Sequence, residues 1–417
     1  MSNIDLRNVF LGRQLILDRQ QQSFAYALSF HPAGIDEECS GVGGEALAMI
    51  VAQAFSELPL AEALGTYEGF VTVAPGMLSS DRIDALPKST VVLEIPDATP
   101  QTPEVIAHCE RIRRAGYVLA AHARPEAPDI DGRPLLKIAE FIKVDVSRAK
   151  PDSLKQLVPA LKSLRKTLLA EKVENDARRH LCHDLGFDLF QGNYFAQPAE
   201  TGSRQLQGSE AALLRLLGLI GQNADTVEIE AAFKQEPALT ISLLRLTNSA
   251  GSGLTIRITS LHHAIILLGR RQLLRWLQLL LYSGGSSSSS ATNPLMQLAA
   301  TRGRLMELLV DHTAEVRGCG RDLVDQAFMV GILSLLPAIL GDESDEILAR
   351  MPLAEPVIDA LVRRAGVLGN LLALVEAAEE EIPDKATAIL RGLPGIDAAY
   401  ANACLVQALG WANNLAR

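Results

Sequence analysis

Two short clusters in this sequence hold side chains that could bind a metal ion or a nucleic acid. The first is the segment HLCH, in which His180, Cys182 and His183 lie within about one helical turn of one another. A zinc site needs four protein ligands, or three and a water molecule, and the nearby sequence offers no further ligand. We therefore expect a partly exposed helix here and no metal site.

The second cluster combines Arg270, Arg271 and Arg275 with Trp276, which is a pattern found on nucleic-acid-binding surfaces. The whole chain is acidic, however, with a formal net charge of −10 over 417 residues. An acidic protein offers little basic surface for displacing the counterions of phosphates. We therefore expect a solvated helix face and no nucleic-acid partner.

The composition is that of a globular protein, with 48% hydrophobic and 21% charged residues. A chain of 417 residues suits two domains. The five cysteines are scattered without a CxxC pair, which favours a reducing compartment. The N-terminus lacks a signal-peptide pattern, and no apolar run reaches the roughly 18 residues that a membrane span needs. We expect a cytoplasmic protein without membrane insertion.

The first half of the chain alternates short β-rich runs with amphipathic segments. The predicted strands are Gln14–Leu17, Phe24–Phe30, Gly69–Val73, Val91–Ile95, Tyr117–Ala121, Phe141–Val144, Leu164–Ala170 and Phe187–Phe190. This alternation indicates βα units, and about eight strands in ~200 residues favour a compact (β/α)8 barrel. Only the polar turn Asp18–Gln22 separates the first two strands, which predicts an antiparallel hairpin at the start of the barrel.

The pattern changes after the polar segment Pro198–Gly208, where we place the boundary between domains 1–203 and 204–417. Beyond Glu210, leucines recur at spacings of three and four residues, which predicts an all-helical second domain. Pro237 suits the first turn of a helix, where its missing N–H is not needed. On that helix, the face that packs into the core of the domain is predicted to consist of Leu239, Leu243, Leu244 and Leu246.

Several segments of the first half resemble, in the same order, EAL-type cyclic di-GMP phosphodiesterase domains. They are VVLEIPD (Val91–Asp97), FIKVD (Phe141–Asp145), AEKVEN (Ala170–Asn175) and GFDLFQGNYFAQP (Gly186–Pro198). The resemblance covers about residues 5–200 and implies a barrel whose strand ends carry carboxylates. In such an enzyme these carboxylates bind Mg²⁺ or Mn²⁺, which holds the phosphate and activates a water.

Carried over residue by residue, the resemblance implies a site that is only partly retained. The family's residues are present at Glu94, Lys143, Asp145, Glu171, Glu174 and Gln191. They are replaced at Ala27 (the signature glutamate), His31 (an arginine), Thr72 (an asparagine), and His122 and Ala123 (the paired aspartates). Alanines offer no side-chain oxygen, and the remaining acids cannot hold Mg²⁺ against its hydration shell.

From these losses we expect no phosphodiesterase activity, no catalytic residue, no bound metal and no cofactor, and we do not expect cyclic di-GMP to bind. Glu94, Lys143 and Glu171 are predicted to form a structural ion-pair network at the mouth of the barrel. His122 and Arg124 could instead suit a different anion.

The second half resembles the HDOD family of bacterial signalling domains over about residues 207–405. The resemblance rests on EPALTISLLRLTNSA (Glu236–Ala250) and ITSLHHAIILLG (Ile258–Gly269). HDOD domains resemble metal-dependent HD phosphohydrolases, but they lack the metal site of those enzymes. Ser334 and Leu335 stand here in place of the His-Asp pair, and neither is a ligand for a hard metal ion.

Together the two resemblances imply a non-enzymatic regulator of bacterial signalling that binds protein partners and controls motility, biofilm formation or virulence. A homodimer is one option for such a helical domain. Three alternatives stay open: a phosphodiesterase with a rearranged site, a cyclic di-GMP receptor without activity, and a nucleic-acid-binding protein that uses the Arg270–Trp276 face.

Overall fold

The structure is a computed structural model. It describes residues 9–32, 44–73, 75–126, 130, 132–197, 208–247, 260–283, 293–310, 321–340, 348, 353–380, 382–393 and 395–415. The strands of the described first half are β1 (Val9–Asp18), β2 (Ser23–Pro32), β3 (Glu68–Thr72), β4 (Val91–Ile95), β5 (Val118–Ala123), β6 (Phe141–Asp145), β7 (Thr167–Glu171) and β8 (Leu189–Gln191).

These strands close into a barrel in chain order, which confirms the predicted architecture. β1 runs antiparallel to both β2 and β8, and the other neighbouring strands are parallel. The predicted hairpin is therefore also confirmed, although β1 begins at Val9, five residues before the predicted start. The helices around the barrel are α1 (Gly44–Glu57), α2 (Leu60–Leu64), α3 (Pro75–Leu78), α4 (Pro103–Arg114), α5 (Pro134–Ile138), α6 (Pro151–Ser163) and α7 (Asp176–Leu185).

Successive side chains of each strand point alternately into the barrel and toward the surrounding helices, which gives an inner core and an outer core. The inner core is a small apolar cluster of Ile16, Ala25, Ala27, Phe70, Val92, Ala120, Leu169 and Leu189. Phe70 and Phe141 meet edge to face within the barrel, with ring centroids 5.0 Å apart. Small alanines on β2 and β5 leave room for these rings, so this part of the barrel is filled by apolar side chains.

The described second half is helical, as predicted, and contains no strand in residues 208–415 outside the gaps given above. Its helices are α8 (Gly208–Gly221), α9 (Thr226–Lys234), α10 (Pro237–Thr247), α11 (Leu261–Leu280), α12 (Pro294–Val310), α13 (Arg321–Leu333), α14 (Leu336–Leu340), α15 (Glu355–Ile358), α16 (Gly366–Glu379), α17 (Pro383–Arg391) and α18 (Ala398–Leu415). The predicted domain boundary falls on residues 198–207, outside the described residues, and stays a prediction.

The buried face of α10 differs in part from the predicted one. Leu239, Leu243 and Thr247 are buried, while Leu244 and Leu246 are only half-buried. The buried residues follow one another at intervals of four, so a single narrow stripe of the helix faces the core. The end of the predicted motif, residues 248–250, lies outside the described residues.

One stretch of the helical half, Asp322–Ile339, is long and apolar enough to span a membrane by composition, with a mean hydropathy of 1.5. It contains Asp322, Asp325 and Gln326, so it is not an uninterrupted apolar run, and the expected absence of membrane insertion stays a prediction. In the fold this stretch forms most of α13 and α14, and 56% of it is buried. Phe328, Val330 and Ile332 pack into the core of the helical half, which is the usual reason for such a composition in a globular domain.

The C-terminal helix α18 packs back against the first strand of the barrel. β8 pairs with β1 from Ile16 to Asp18, and no strand among the described residues lies beside the earlier part of that edge. There the Asn402 side chain accepts a hydrogen bond from the Leu11 N–H (3.0 Å) and donates one to the Val9 carbonyl (2.6 Å). One buried side-chain amide thus takes the place of a neighbouring strand.

A second polar contact joins the two halves beside the hairpin. The hydroxyl of Tyr26 on β2 donates to Asn413 Oδ1 on α18 (3.0 Å) and accepts from Gln297 Nε2 on α12 (2.7 Å). Asn413 also donates to the carbonyl of Ala63 in α2 (2.8 Å). Burial raises the pKa of Tyr26, which keeps the phenol neutral and able to donate. Barrel and bundle are thus joined by satisfied buried hydrogen bonds as well as by apolar contacts.

Asn402→Ala should lower the free energy of unfolding by about 1–3 kcal/mol, because it leaves the Leu11 N–H and the Val9 carbonyl buried without partners. Chemical denaturation followed by circular dichroism measures the change. Asn414→Ala is the matched control, since Asn414 is exposed on the same helix and should shift stability by less than about 0.5 kcal/mol. Equal effects of the two substitutions would contradict the role given to Asn402.

Candidate functional site at the barrel mouth

Four neighbouring strands, β4 to β7, place charged or polar side chains at the end of the barrel where their C-terminal ends lie. Lys143 Nζ on β6 lies 2.7 Å from Glu94 Oε2 on β4 and 3.7 Å from Glu171 Oε1 on β7. His122 on β5 completes the group, with Nε2 2.9 Å from Glu94 Oε1 and Nδ1 3.5 Å from Glu171 Oε2. Each of the two carboxylates therefore contacts both the lysine and the histidine.

The electrostatics of this network are set by its burial. Lys143 is only 1% exposed and Glu94 only 7%. Burial alone would raise the pKa of Glu94, but the Lys143 ammonium and the hydrogen bond from His122 lower it to about 2. Glu94 is therefore ionised at neutral pH, and its charge is compensated by protein side chains.

The other retained positions lie outside this network. Asp145 is bound by Lys172 Nζ (2.8 Å) and by the Ser147 hydroxyl (2.6 Å). Burial would raise the pKa of Asp145, but these hydrogen bonds lower it. Glu174 is exposed at the rim of the mouth. Gln191 is buried and donates to Gln14 Oε1 across the β1–β8 contact (3.0 Å).

The positions at which the resemblance predicted a replaced residue have different surroundings. Ala27 belongs to the apolar inner core of the barrel. Thr72 lines the mouth, and His31 lies half-buried near the end of β2, opposite Phe10. Ala123 is buried in the core cluster and also lines the mouth, but it has no polar side chain, so of the predicted pair His122 and Ala123 only His122 joins the network. The sequence did not indicate this role, because it depends on how β5 is aligned with β4 and β7.

The segment QGNYF has a structural reason to contain glycine. Gly192 has a φ of +148°, and a Cβ placed on it would lie 2.1 Å from the carbonyl oxygen of Val173. The amide of Val173 in turn donates to the carbonyl of Gln191 (2.9 Å). Only glycine allows this close approach between the loop after β7 and the end of β8.

Above the network lies an open cavity of about 940 Å³, whose rim carries charges of both signs. Arg124 and Arg133 both form ion pairs with Asp97. Arg148 and Lys172 are further cations of the rim. The volume is in the range of sites that hold small ligands and cofactors. The mouth could thus accommodate a ligand of considerable size next to the buried network.

At the HD-like positions of the helical half, a different buried ion pair is found. Arg302 Nη2 on α12 lies 2.5 Å from Glu379 Oε2 on α16, and Arg302 Nη1 donates to the Ser334 hydroxyl (2.7 Å). Burial alone would lower the pKa of Arg302, but Glu379 raises it. Leu335 is buried. Ser334 thus serves to hold an arginine in the core.

The two clusters considered first in the sequence are held by ordinary contacts. Cys182 is buried in α7, and burial raises its pKa to about 11, whereas His180 is exposed and contacts Asp176. These two side chains therefore do not face a common point. Arg271 and Arg275 pair with acidic residues of α12 and α13, which leaves less positive charge on that face than the sequence suggested.

The chain is similar to known proteins over both halves. Residues 212–339 match the HDOD domain family. YuxH, an uncharacterized protein of Bacillus subtilis, is 25% identical over 413 residues, which cover 98% of each chain. The cyclic di-GMP phosphodiesterase CdgJ of Vibrio cholerae is 25% identical over 381 residues, covering 89% of this chain and 85% of CdgJ. Among solved structures, the EAL domain of Xanthomonas citri FimX in complex with cyclic di-GMP has a TM-score of 0.37 and 16% identity, over 45% of this chain and 86% of that one.

These findings confirm the predicted organisation: an EAL-like barrel of eight strands is followed by a helical region that contains an HDOD domain. They also correct one expectation. We did not expect cyclic di-GMP to bind, but the solved structures similar to the barrel are EAL domains that hold cyclic di-GMP. The expectation was wrong because it inferred lost binding from lost metal ligands. Metal ions activate water for hydrolysis, whereas other groups can hold a nucleotide.

Lys143→Met should lower the free energy of unfolding by about 3–5 kcal/mol, because it leaves two carboxylates in a buried site without their closest cation. Urea denaturation measures the effect. Lys172→Met is the matched control: its ion pair with Asp145 lies at the surface and should contribute at most about 1 kcal/mol. Adding Glu94→Gln to Lys143→Met should recover part of the loss, and a further loss in the double variant would argue against the network.

Proposed function

We propose that this protein is a non-hydrolytic regulator in cyclic di-GMP signalling that acts by binding other proteins. The observation that carries the proposal is the position of His122 between Glu94 and Glu171. Each ring nitrogen faces one of the two carboxylates, and the more deeply buried Lys143 contacts both. The oxygens that would bind divalent ions in a phosphodiesterase are thus engaged by side chains of the protein itself.

A metal ion would face two costs at this site. It would have to displace His122 from both carboxylates, and it would find no oxygen on Ala27 or Ala123 to complete its shell. Mg²⁺ requires a nearly octahedral set of oxygen ligands and gives up its water reluctantly. The remaining oxygens of Glu94 and Glu171 are too few to provide that set, which supports a barrel without hydrolytic activity.

The full-length protein is expected to release no linear dinucleotide from cyclic di-GMP in the presence of Mg²⁺ or Mn²⁺, as measured by chromatography. CdgJ assayed in parallel is the positive control. Mn²⁺ should also leave the melting temperature unchanged, because only a bound ion stabilises the folded state. Turnover that disappears in Glu94→Ala would overturn the proposal.

A second candidate function is that of a receptor that binds cyclic di-GMP without cleaving it. The cavity at the barrel mouth favours it, because Arg124, Arg148 and Lys172 line a space of about 940 Å³ and cations are the usual partners of phosphates. Calorimetric titration of the same sample tests this function. Heat of binding without turnover supports a receptor, and its absence leaves protein binding as the remaining function.

The helical half offers a surface on which a protein partner could dock. Val227 on α9, Ile241 on α10, and Ile266 and Leu267 on α11 are large apolar side chains that are 41–70% exposed. The three helices pack against one another, so these side chains lie on neighbouring helices. Several exposed apolar residues in one region are typical of interaction sites, whereas single ones are common on any surface.

The double substitution Ile241→Lys/Ile266→Lys should abolish capture of a partner by the full-length protein used as bait in lysate of its own host. Each lysine places a charge in the centre of the proposed contact, where it would be desolvated. Val362→Lys is the matched control, since Val362 is 44% exposed elsewhere on the helical half. If the unchanged protein, the double variant and the Val362→Lys control captured the same proteins equally, this surface would be ruled out as the docking site.

A further inference from the structure

The helical half contains a second cavity, of about 420 Å³, which is separate from the barrel mouth. It is partly open to solvent and is lined by residues of α8, α11, α13 and α15 and of the adjoining loops. Much of its wall is apolar and is contributed by Leu217, Leu274, Phe328, Met329, Leu333 and Val357. A cavity of this volume with a largely apolar wall and a few polar groups is the usual form of a small-molecule site.

Two polar side chains of this wall lack partners among the residues that the structure describes. Gln278 is only 2% exposed, and its Oε1 accepts no hydrogen bond there. Arg270 Nη1 is likewise buried and donates to no described residue. Buried polar groups are nearly always satisfied in folded proteins, so two exceptions that line the same cavity point to a ligand.

Two neighbouring cations of the wall, Arg271 and Arg275, have acidic partners within the protein, and the wall also carries the exposed carboxylate of Asp322. Arg271 Nε lies 2.5 Å from Asp325 Oδ1, and Arg275 forms an ion pair with Glu307 and stacks over the ring of Phe328 at 4.6 Å. Arg270 is therefore the cation of the cavity wall that has no acidic partner among the described residues. A single negative charge on a ligand would match it, whereas a doubly charged phosphate would also meet Asp325.

The backbone of α11 presents both unpaired groups to the cavity. Gly269 has a φ of +73° and interrupts the helix, so that a new helical segment begins with Arg270. Gln278 lies eight residues further on, a rise of roughly 12 Å along that segment. An extended ligand could thus contact Arg270 with one end and Gln278 with the other.

We propose that this cavity binds a small organic acid that has an apolar, aromatic body and an N–H or O–H donor. The carboxylate would bind Arg270, the donor would bind Gln278 Oε1, and the ring would pack against the leucine, methionine and phenylalanine side chains of the wall. This site is independent of the barrel mouth and of any phosphodiester chemistry there.

Three probes of similar shape test the proposal by calorimetric titration of the full-length protein. Indole-3-acetate carries both the carboxylate and the N–H donor, naphthalene-1-acetate lacks the donor, and indole-3-ethanol lacks the charge. Indole-3-acetate should bind at least about tenfold more tightly than either of the others, because each lacks one hydrogen bond to an otherwise unpaired group. Equal affinities, or no binding of indole-3-acetate at millimolar concentration, would overturn the proposal.

Substitutions in the cavity wall test whether Arg270 and Gln278 bind the probes directly. Arg270→Gln should weaken indole-3-acetate about tenfold or more while leaving indole-3-ethanol unchanged. Gln278→Leu should remove the preference for indole-3-acetate over naphthalene-1-acetate. Gln326→Leu, at a half-buried glutamine of the same wall, is the control and should keep that preference. If Arg270→Gln weakened all three probes alike, the carboxylate would not be bound by Arg270.

The melting temperature of the unliganded protein distinguishes a ligand-binding role of Gln278 from a purely structural one. Gln278→Leu should raise the melting temperature of the unliganded protein, since it replaces an unsatisfied buried amide by an apolar side chain of similar size. A residue kept only for stability would show the opposite change. A lower melting temperature in Gln278→Leu would therefore contradict the assignment of Gln278 as a ligand-binding group.

Discussion

The central constraint on the barrel is that Glu94 and Glu171 hold negative charge where little water reaches. Buried charge must be compensated by a cation or by hydrogen bonds, because its hydration is lost. In this chain Lys143 and His122 provide that compensation, and both contact each carboxylate. The barrel can therefore keep the acidic residues of a phosphodiesterase while its folded state needs no metal ion. The acidic residues at the mouth are thus held in place by contacts with side chains of the protein itself.

The same principle of compensation recurs in the helical half, where Arg302 is buried against Glu379 and Ser334. In both halves, buried polar groups thus bind other side chains of the protein. The unpaired Arg270 and Gln278 stand apart from this pattern, because they lie in a cavity and have no partner among the described residues. Groups that are satisfied by their neighbours indicate structural support, and groups that are not indicate a site for something else.

The sequence was sufficient to predict the strands, the initial hairpin and the change to a helical second half, since these depend on local periodicity and turns. It also identified the residues at the barrel mouth through their order along the chain. It could not predict that His122 contacts both carboxylates, because this depends on the alignment of three strands. Nor could it predict that Asn402 binds the backbone of Leu11, 391 positions away, since no local pattern encodes a contact between an amide on the last helix and the first strand. The cavity beside α11 was missed for the same reason, although Gly269 was a visible signal of an interruption.

The position of Asn402 against β1 has a consequence for how such proteins can evolve. A barrel separated from its own bundle would present the backbone of Val9 and Leu11 as a free sheet margin, and such margins recruit strands from other molecules. A helical half taken from a distant relative would have to provide an amide side chain at the position of Asn402 to pair with this backbone. The two halves are therefore expected to be inherited as a unit, so that gene shuffling at their junction would produce aggregating chimaeras more often than new regulators.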